Sequence, residues 1–86
     1  MKHTFKKLYR VFAGPQIGDL YYREARYLNP FKNEGETDVV VVIDKKDNWI
    51  QFQRELHNGE PCAKTQWEYS EHEFKSCYTF IGTKQD

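Results

Sequence analysis

The stretch Asp38-Val39-Val40-Val41-Val42-Ile43-Asp44-Lys45-Lys46-Asp47-Asn48-Trp49-Ile50-Gln51-Phe52-Gln53-Arg54 joins five consecutive β-branched aliphatic residues to a polar turn and then to an alternating, aromatic-containing segment. β-Branched and aromatic side chains suit the pleated surface of a sheet, and Asp and Asn punctuate turns, so the stretch predicts a β-hairpin. Val39 to Ile43 offer no polar side, which predicts a strand covered on both faces. In the second arm successive side chains alternate, placing Ile50 and Phe52 on one face and Trp49, Gln51 and Gln53 on the other.

Working outward, Ile17-Gly18-Asp19-Leu20-Tyr21-Tyr22-Arg23 reads as a loop entering a strand that runs toward Leu28, where Asn29-Pro30 interrupts it. Residues 29–37 are polar, contain Pro30 and Gly35, and read as a long connecting loop of the kind that carries function in compact domains. After the hairpin, His57-Asn58-Gly59-Glu60-Pro61 is a turn, and a further strand near 63–69 places Thr65, Trp67 and Tyr69 on one face. Ser70-Glu71-His72-Glu73 has the form of a capping box, which starts a short helix whose apolar stripe is Phe74, Cys77 and Tyr78. Thr79-Phe80-Ile81 then returns to a strand pattern before Gly82.

Residues 1–13 admit two readings. Phe5, Leu8, Tyr9 and Phe12 have the i, i+3, i+4, i+7 spacing of a helix face, and a strand fits nearly as well, with Tyr9 and Val11 on one side and Leu8, Arg10 and Phe12 on the other. The expected organisation is a single domain over 1–86, with an N-terminal segment 1–14, a β core over 17–82 and a frayed tail 83–86. The expected core is Val40, Val42, Ile50, Phe52, Trp67, Phe74 and Ile81.

A chain of 86 residues buries only about 60–65% of the surface its unfolded form exposes, so the core is thin. Six Tyr, six Phe and two Trp exceed what such a core needs, which predicts aromatic rings on the surface. Thirteen basic and thirteen acidic residues balance overall, and the excess of Lys and Arg in the first third is offset by acids later. That distribution argues against binding through a general positive field, while leaving room for a local basic patch of Lys2, Lys6, Lys7, Arg10, Arg23 and Arg26. No apolar run approaches the ~20 residues of a membrane span and no apolar segment of a secretion signal follows the basic start, so the expectation is a cytoplasmic protein.

The order of elements, with the segments Gly18-Asp19-Leu20-Tyr21-Tyr22, Asp44-Lys45-Lys46-Asp47-Asn48-Trp49 and Tyr69-Ser70-Glu71-His72-Glu73-Phe74, resembles the small SH3-like β-barrels over residues 17–82. The resemblance implies a mainly β fold: a single small barrel with a short helix before the last strand and a possible N-terminal helix. The Ala-Leu-Tyr-Asp-Tyr run and paired Trp of peptide-binding SH3 domains are absent, so recognition of Pro-rich ligands does not carry over. In size and composition the chain is also similar to phage and prophage accessory proteins.

Catalytic and metal chemistry find little support in the spacing. Cys62 and Cys77 stand fifteen positions apart, each five after a His (His57, His72), whereas structural zinc sites present close ligand pairs. Free thiols are expected, with Cys77 as a small buried hydrophobe. Cys62 with His57 lacks an identifiable third group, and Asp44, Asp47 and Asn48 are ordinary turn residues. The reading is therefore a non-enzymatic module with no catalytic residue, no metal and no cofactor. Its partner would be another protein, as for a phage-type inhibitor or modulator of a host or defence protein. Candidate contact residues are Tyr22, Arg23, Arg26, Tyr27, Phe31 and Trp49: large rigid rings, fork-shaped donors and a loop location. The alternative is nucleic-acid binding, with surface rings stacking on bases and the basic N-terminal segment on phosphates.

Overall fold

The computed structural model describes residues 14–26 and 35–84, with the backbone alone for Ala25 and Arg26. Residues 1–13, for which helix and strand both stand as readings, and the candidate contact residues Tyr27 and Phe31 lie outside the described residues. The described chain forms β1 (Asp19–Arg26), β2 (Gly35–Lys46), β3 (Trp49–His57), β4 (Glu60–Pro61), β5 (Gln66–Ser70), α1 (Glu71–Cys77) and β6 (Thr79–Thr83). It is mainly β, a single small antiparallel sheet with one short helix before the last strand, as the sequence predicts.

The sheet runs β4-β3-β2-β1-β6, and β5 pairs with the opening half of β3, from Trp49 to Gln53. Among the described residues no ladder joins β5 to β6, so the sheet is open where a barrel would close. α1 connects those two strands, and its Phe74 fills the space between, 4.7 Å from Tyr21 and 5.0 Å from Phe52 between ring centroids. The core beneath it comprises Tyr21, Val40, Val42, Ile50, Phe52, Phe74, Tyr78 and Phe80.

The hairpin turns are built as their residues demand. Asp47 takes φ 55° between β2 and β3, while Asn58 at φ 54° and Gly59 at φ 79° form the two-residue link from β3 to β4 that Asn-Gly favours. The predicted loop over 29–37 is shorter at its end than expected, because Gly35, Glu36 and Thr37 pair with Arg26, Ala25 and Glu24. A strand as apolar as Val39–Ile43 recruits its polar neighbours into the same ladder. α1 starts where the capping box places it: the Ser70 hydroxyl accepts from the Glu73 backbone N–H at 3.2 Å, and the Glu71 N–H donates to the Asn48 carbonyl at 2.6 Å. Gly14 takes φ 77°, a conformation that favours glycine, and lies against the Glu71 carboxylate that pairs with Lys45 at 3.3 Å and would have to shift for a Cβ.

Three burial expectations change. Ile81 is 45% exposed because a bulge in the β1–β6 pairing, where Leu20 meets Gly82 and Tyr21 meets Phe80, leaves it unpaired and turned out between two buried neighbours. Trp67 is half-buried, packed on the rim of the core rather than inside it. Cys77 is exposed: α1 ends there, and the inward position passes to Tyr78. Nor is the end of the chain loose from residue 83, since Thr83 completes β6 and the Lys84 N–H donates to the Gly18 carbonyl at 2.9 Å.

A second bulge, in β3, frees Glu55 from the ladder, and its carboxylate takes Lys84 at 3.1 Å and Lys64 at 3.4 Å. Burial works to raise this carboxyl, but the bonds and charge from Lys84 and then Lys64 outweigh it and hold it below its ordinary value of 4.5. A depressed folded value means stabilisation that is complete above the unfolded value and lost as pH falls through the folded one. Glu55→Gln should therefore flatten the loss of stability on acidification from neutral pH to about pH 3, read as the urea midpoint at each pH. An acid limb identical to that of the unmodified protein would mean that the Lys84 and Lys64 bridges do not persist in solution.

Candidate protein-contact surface

At the end of the sheet next to the β1–β2 connection, the core opens onto charged residues. Arg23, Asp38 and His57 are direct partners across β1, β2 and β3, and therefore share one face, the face that carries Phe52 and α1. Arg54 lies two residues along β3 from Phe52 on that same face. The Asp38 carboxylate holds both neighbours in place, with Oδ1 2.7 Å from His57 Nδ1 and 3.2 Å from Arg54 Nε. Arg54 Nε is buried and its approach to Asp38 Oδ1 lacks hydrogen-bond geometry, while Nη2 of the same guanidinium donates to Asp38 Oδ2 at 3.4 Å.

Both guanidiniums lie on aromatic rings. Arg54 sits 4.9 Å from the Trp67 ring centre and Arg23 5.8 Å from that of Tyr78. Those rings continue inward as a cluster: Phe52 stacks on Trp67 at 5.8 Å and meets Tyr69 at 5.0 Å and Tyr78 at 5.2 Å edge to face, between centroids. The neighbouring Tyr78 phenol, with burial opposing it, raises the Arg23 guanidinium above its ordinary value. Burial pushes the Tyr78 phenol up, with Arg23 partly offsetting it, so the phenol stays protonated at neutral pH. The result is a surface of rigid rings and positioned arginines whose rotamers are set before any partner arrives, which lowers the entropy that binding must overcome.

The residues singled out from sequence separate here. Arg23 belongs to this surface. Arg26 extends β1 opposite Gly35, leading toward the segment that holds Tyr27 and Phe31. Tyr22 is half-buried on the opposite face from Tyr21, which is the core residue of that pair. Trp49 is 52% exposed but stands at the far hairpin turn, paired with Lys46. It is separated from the Asp38 end by about 25 Å of strand, so the structure does not join it to Arg23.

The sequence pattern does not mark Arg54, Tyr69 or Tyr78 as contact residues, and it places Trp67 in the core. Period-two alternation already sets Phe52 with Arg54, and Trp67 with Tyr69; what it does not reveal is that the two strands pair with Phe52 opposite Trp67. His57 is turned to Asp38, and Cys62 is a half-buried free thiol. Among the described residues no group of three or more His, Cys, Asp or Glu is placed to hold a metal, and no helix is long and apolar enough to cross a membrane. Comparison with protein-family models, with curated proteins and with solved structures finds no match to this chain.

Proposed function

We propose that the chain is a non-enzymatic protein-binding module of SH3-like type, acting in the cytoplasm as an inhibitor or modulator of another protein in the manner of small phage accessory proteins. The observation that carries this reading is the pair of arginines laid over Trp67 and Tyr78 beside the β1–β2 connection. Tryptophan, tyrosine and arginine are the residues that dominate binding energy at protein interfaces. In this reading Tyr27 and Phe31 add anchors from the connection, and Arg23 and Arg26 supply charge-assisted bonds to partner carboxylates or carbonyls.

The test is capture from a lysate of the native host, comparing the unmodified chain with Arg23→Ala and with Tyr27→Ala/Phe31→Ala, each checked for an unchanged denaturation midpoint. A partner protein retained by the unmodified chain should bind either variant about 30-fold more weakly, corresponding to about 2 kcal/mol. Lys6→Glu/Lys7→Glu should leave that binding nearly intact. If instead the lysine variant alone abolishes binding, and a labelled single strand binds with an affinity that falls steeply with salt, the nucleic-acid reading replaces this one.

A further inference from the structure

On the other face of the sheet, at the opposite end, Asp44, Lys46, Trp49, Gln51 and Glu68 line a shallow recess of about 210 Å³. The register explains why they meet. Lys46 is directly across from Trp49, and Gln51 has Asp44 on one side and Glu68 on the other. Glu68 is thereby the diagonal neighbour of Trp49, within reach of its ring.

Among the described residues the state of these groups is uneven. Asp44 accepts from the Lys45 backbone N–H at 2.8 Å, and Gln51 donates to Gln66 at 3.4 Å, so both are engaged within the fold. The Trp49 indole has neither a ring contact nor a hydrogen bond, in contrast to Phe52, Trp67, Tyr69 and Tyr78, each of which meets another ring. The Glu68 carboxylate likewise has no partner, and residue 68 is exposed. A half-exposed indole beside a free carboxylate offers two complementary attractions to one group, a cation that is flat. Guanidinium stacks face-on over an indole while its edge forks to a carboxylate; an ammonium can satisfy one of these well but not both. Asp44 and Glu68 outweigh Lys46 in charge, which disfavours an anion. A single ring provides no cage for a quaternary ammonium.

We propose that this recess is a second binding site, taking an arginine side chain of a partner polypeptide, with Trp49 as the stacking surface and Glu68 as the forked acceptor. It deepens the protein-binding reading by adding an acid-flanked aromatic site at the end of the molecule remote from Arg23.

The probe is the blocked tripeptide Gly-Arg-Gly, with Gly-Lys-Gly and Gly-Glu-Gly as comparisons, titrated while the two indole N–H signals are followed by NMR. Expected is a saturable shift of the Trp49 signal in the millimolar range with the arginine peptide, weaker by about fivefold with the lysine peptide and absent with the glutamate peptide. Trp67 should not move. Glu68→Gln should weaken arginine binding by about fivefold, and Arg23→Ala should leave it unchanged. No saturable shift with the arginine peptide, an undiminished one in Glu68→Gln, or a preference for the glutamate peptide would each overturn the proposal. None of those results bears on partner capture through Arg23, and failure of that capture leaves this titration standing, so the two readings fail separately.

Discussion

Phe52→Ala should remove a large share of the protein's stability. Phe52 is fully buried and its ring meets Trp67, Tyr69, Phe74 and Tyr78 at centroid separations of 5.0 to 5.8 Å, linking β3 to β5, to α1 and to the residue that ends α1. Truncation removes the transfer energy of the ring and leaves a void that four large, mutually packed rings cannot collapse into without breaking their own contacts. The cost is about 3–5 kcal/mol against a total stability of about 4–13 kcal/mol for a domain of this length. Urea denaturation followed by tryptophan fluorescence should show the midpoint falling by half or more, and Phe52→Leu, which refills most of the space, should recover most of the loss. A Phe52→Ala protein as stable as the original would mean that the ring cluster is not what holds α1 to the sheet.

Asp38→Ala is expected to be the next most damaging change, and for a different reason. The carboxylate is the counter-charge to Arg54 and the acceptor for His57, and Arg23 stands opposite it in the ladder. Removing it leaves three basic groups facing one another, one with a buried Nε that has no hydrogen bond. The expected cost is about 1–3 kcal/mol. Because a single truncation also counts the penalty on the groups left behind, the informative measurement is a double-mutant cycle with Arg54→Met. Coupling of about 1 kcal/mol or more is expected, and additive losses would show that Asp38 does not stabilise Arg54. The same substitution should weaken partner capture, since Arg54 over Trp67 and Arg23 over Tyr78 would no longer be held in one geometry.

How much of this was legible beforehand differs between fold and site. Val39 to Ile43, the alternation from Trp49 to Gln53, the Asn58-Gly59 link and the Ser70 cap are local signals whose physics acts over two to five residues, and each appears in the structure as read. Ile81 and Trp67 differ from the sequence expectation because their exposure depends on pairing between distant strands. One bulge between β1 and β6 turns Ile81 outward, and only the position of β5 at the sheet margin leaves Trp67 at the rim.

The contact surface follows the same division. The sequence alone determined that rings exceed what the core can hold, that Arg23 stands beside a strand end next to a polar connection, and that Trp49 opens a strand after a turn. It could not determine that Trp49 and Arg23 lie at opposite ends and on opposite faces, or that Arg54, Trp67 and Tyr78, from three separate segments, complete the surface around Arg23. Composition and periodicity decide what each short segment becomes, because backbone sterics and side-chain alternation are local. Which segments become neighbours is decided by strand register and by α1 filling the gap between β5 and β6, and those are set by the packing of Phe52, Phe74 and Tyr78 across the whole chain.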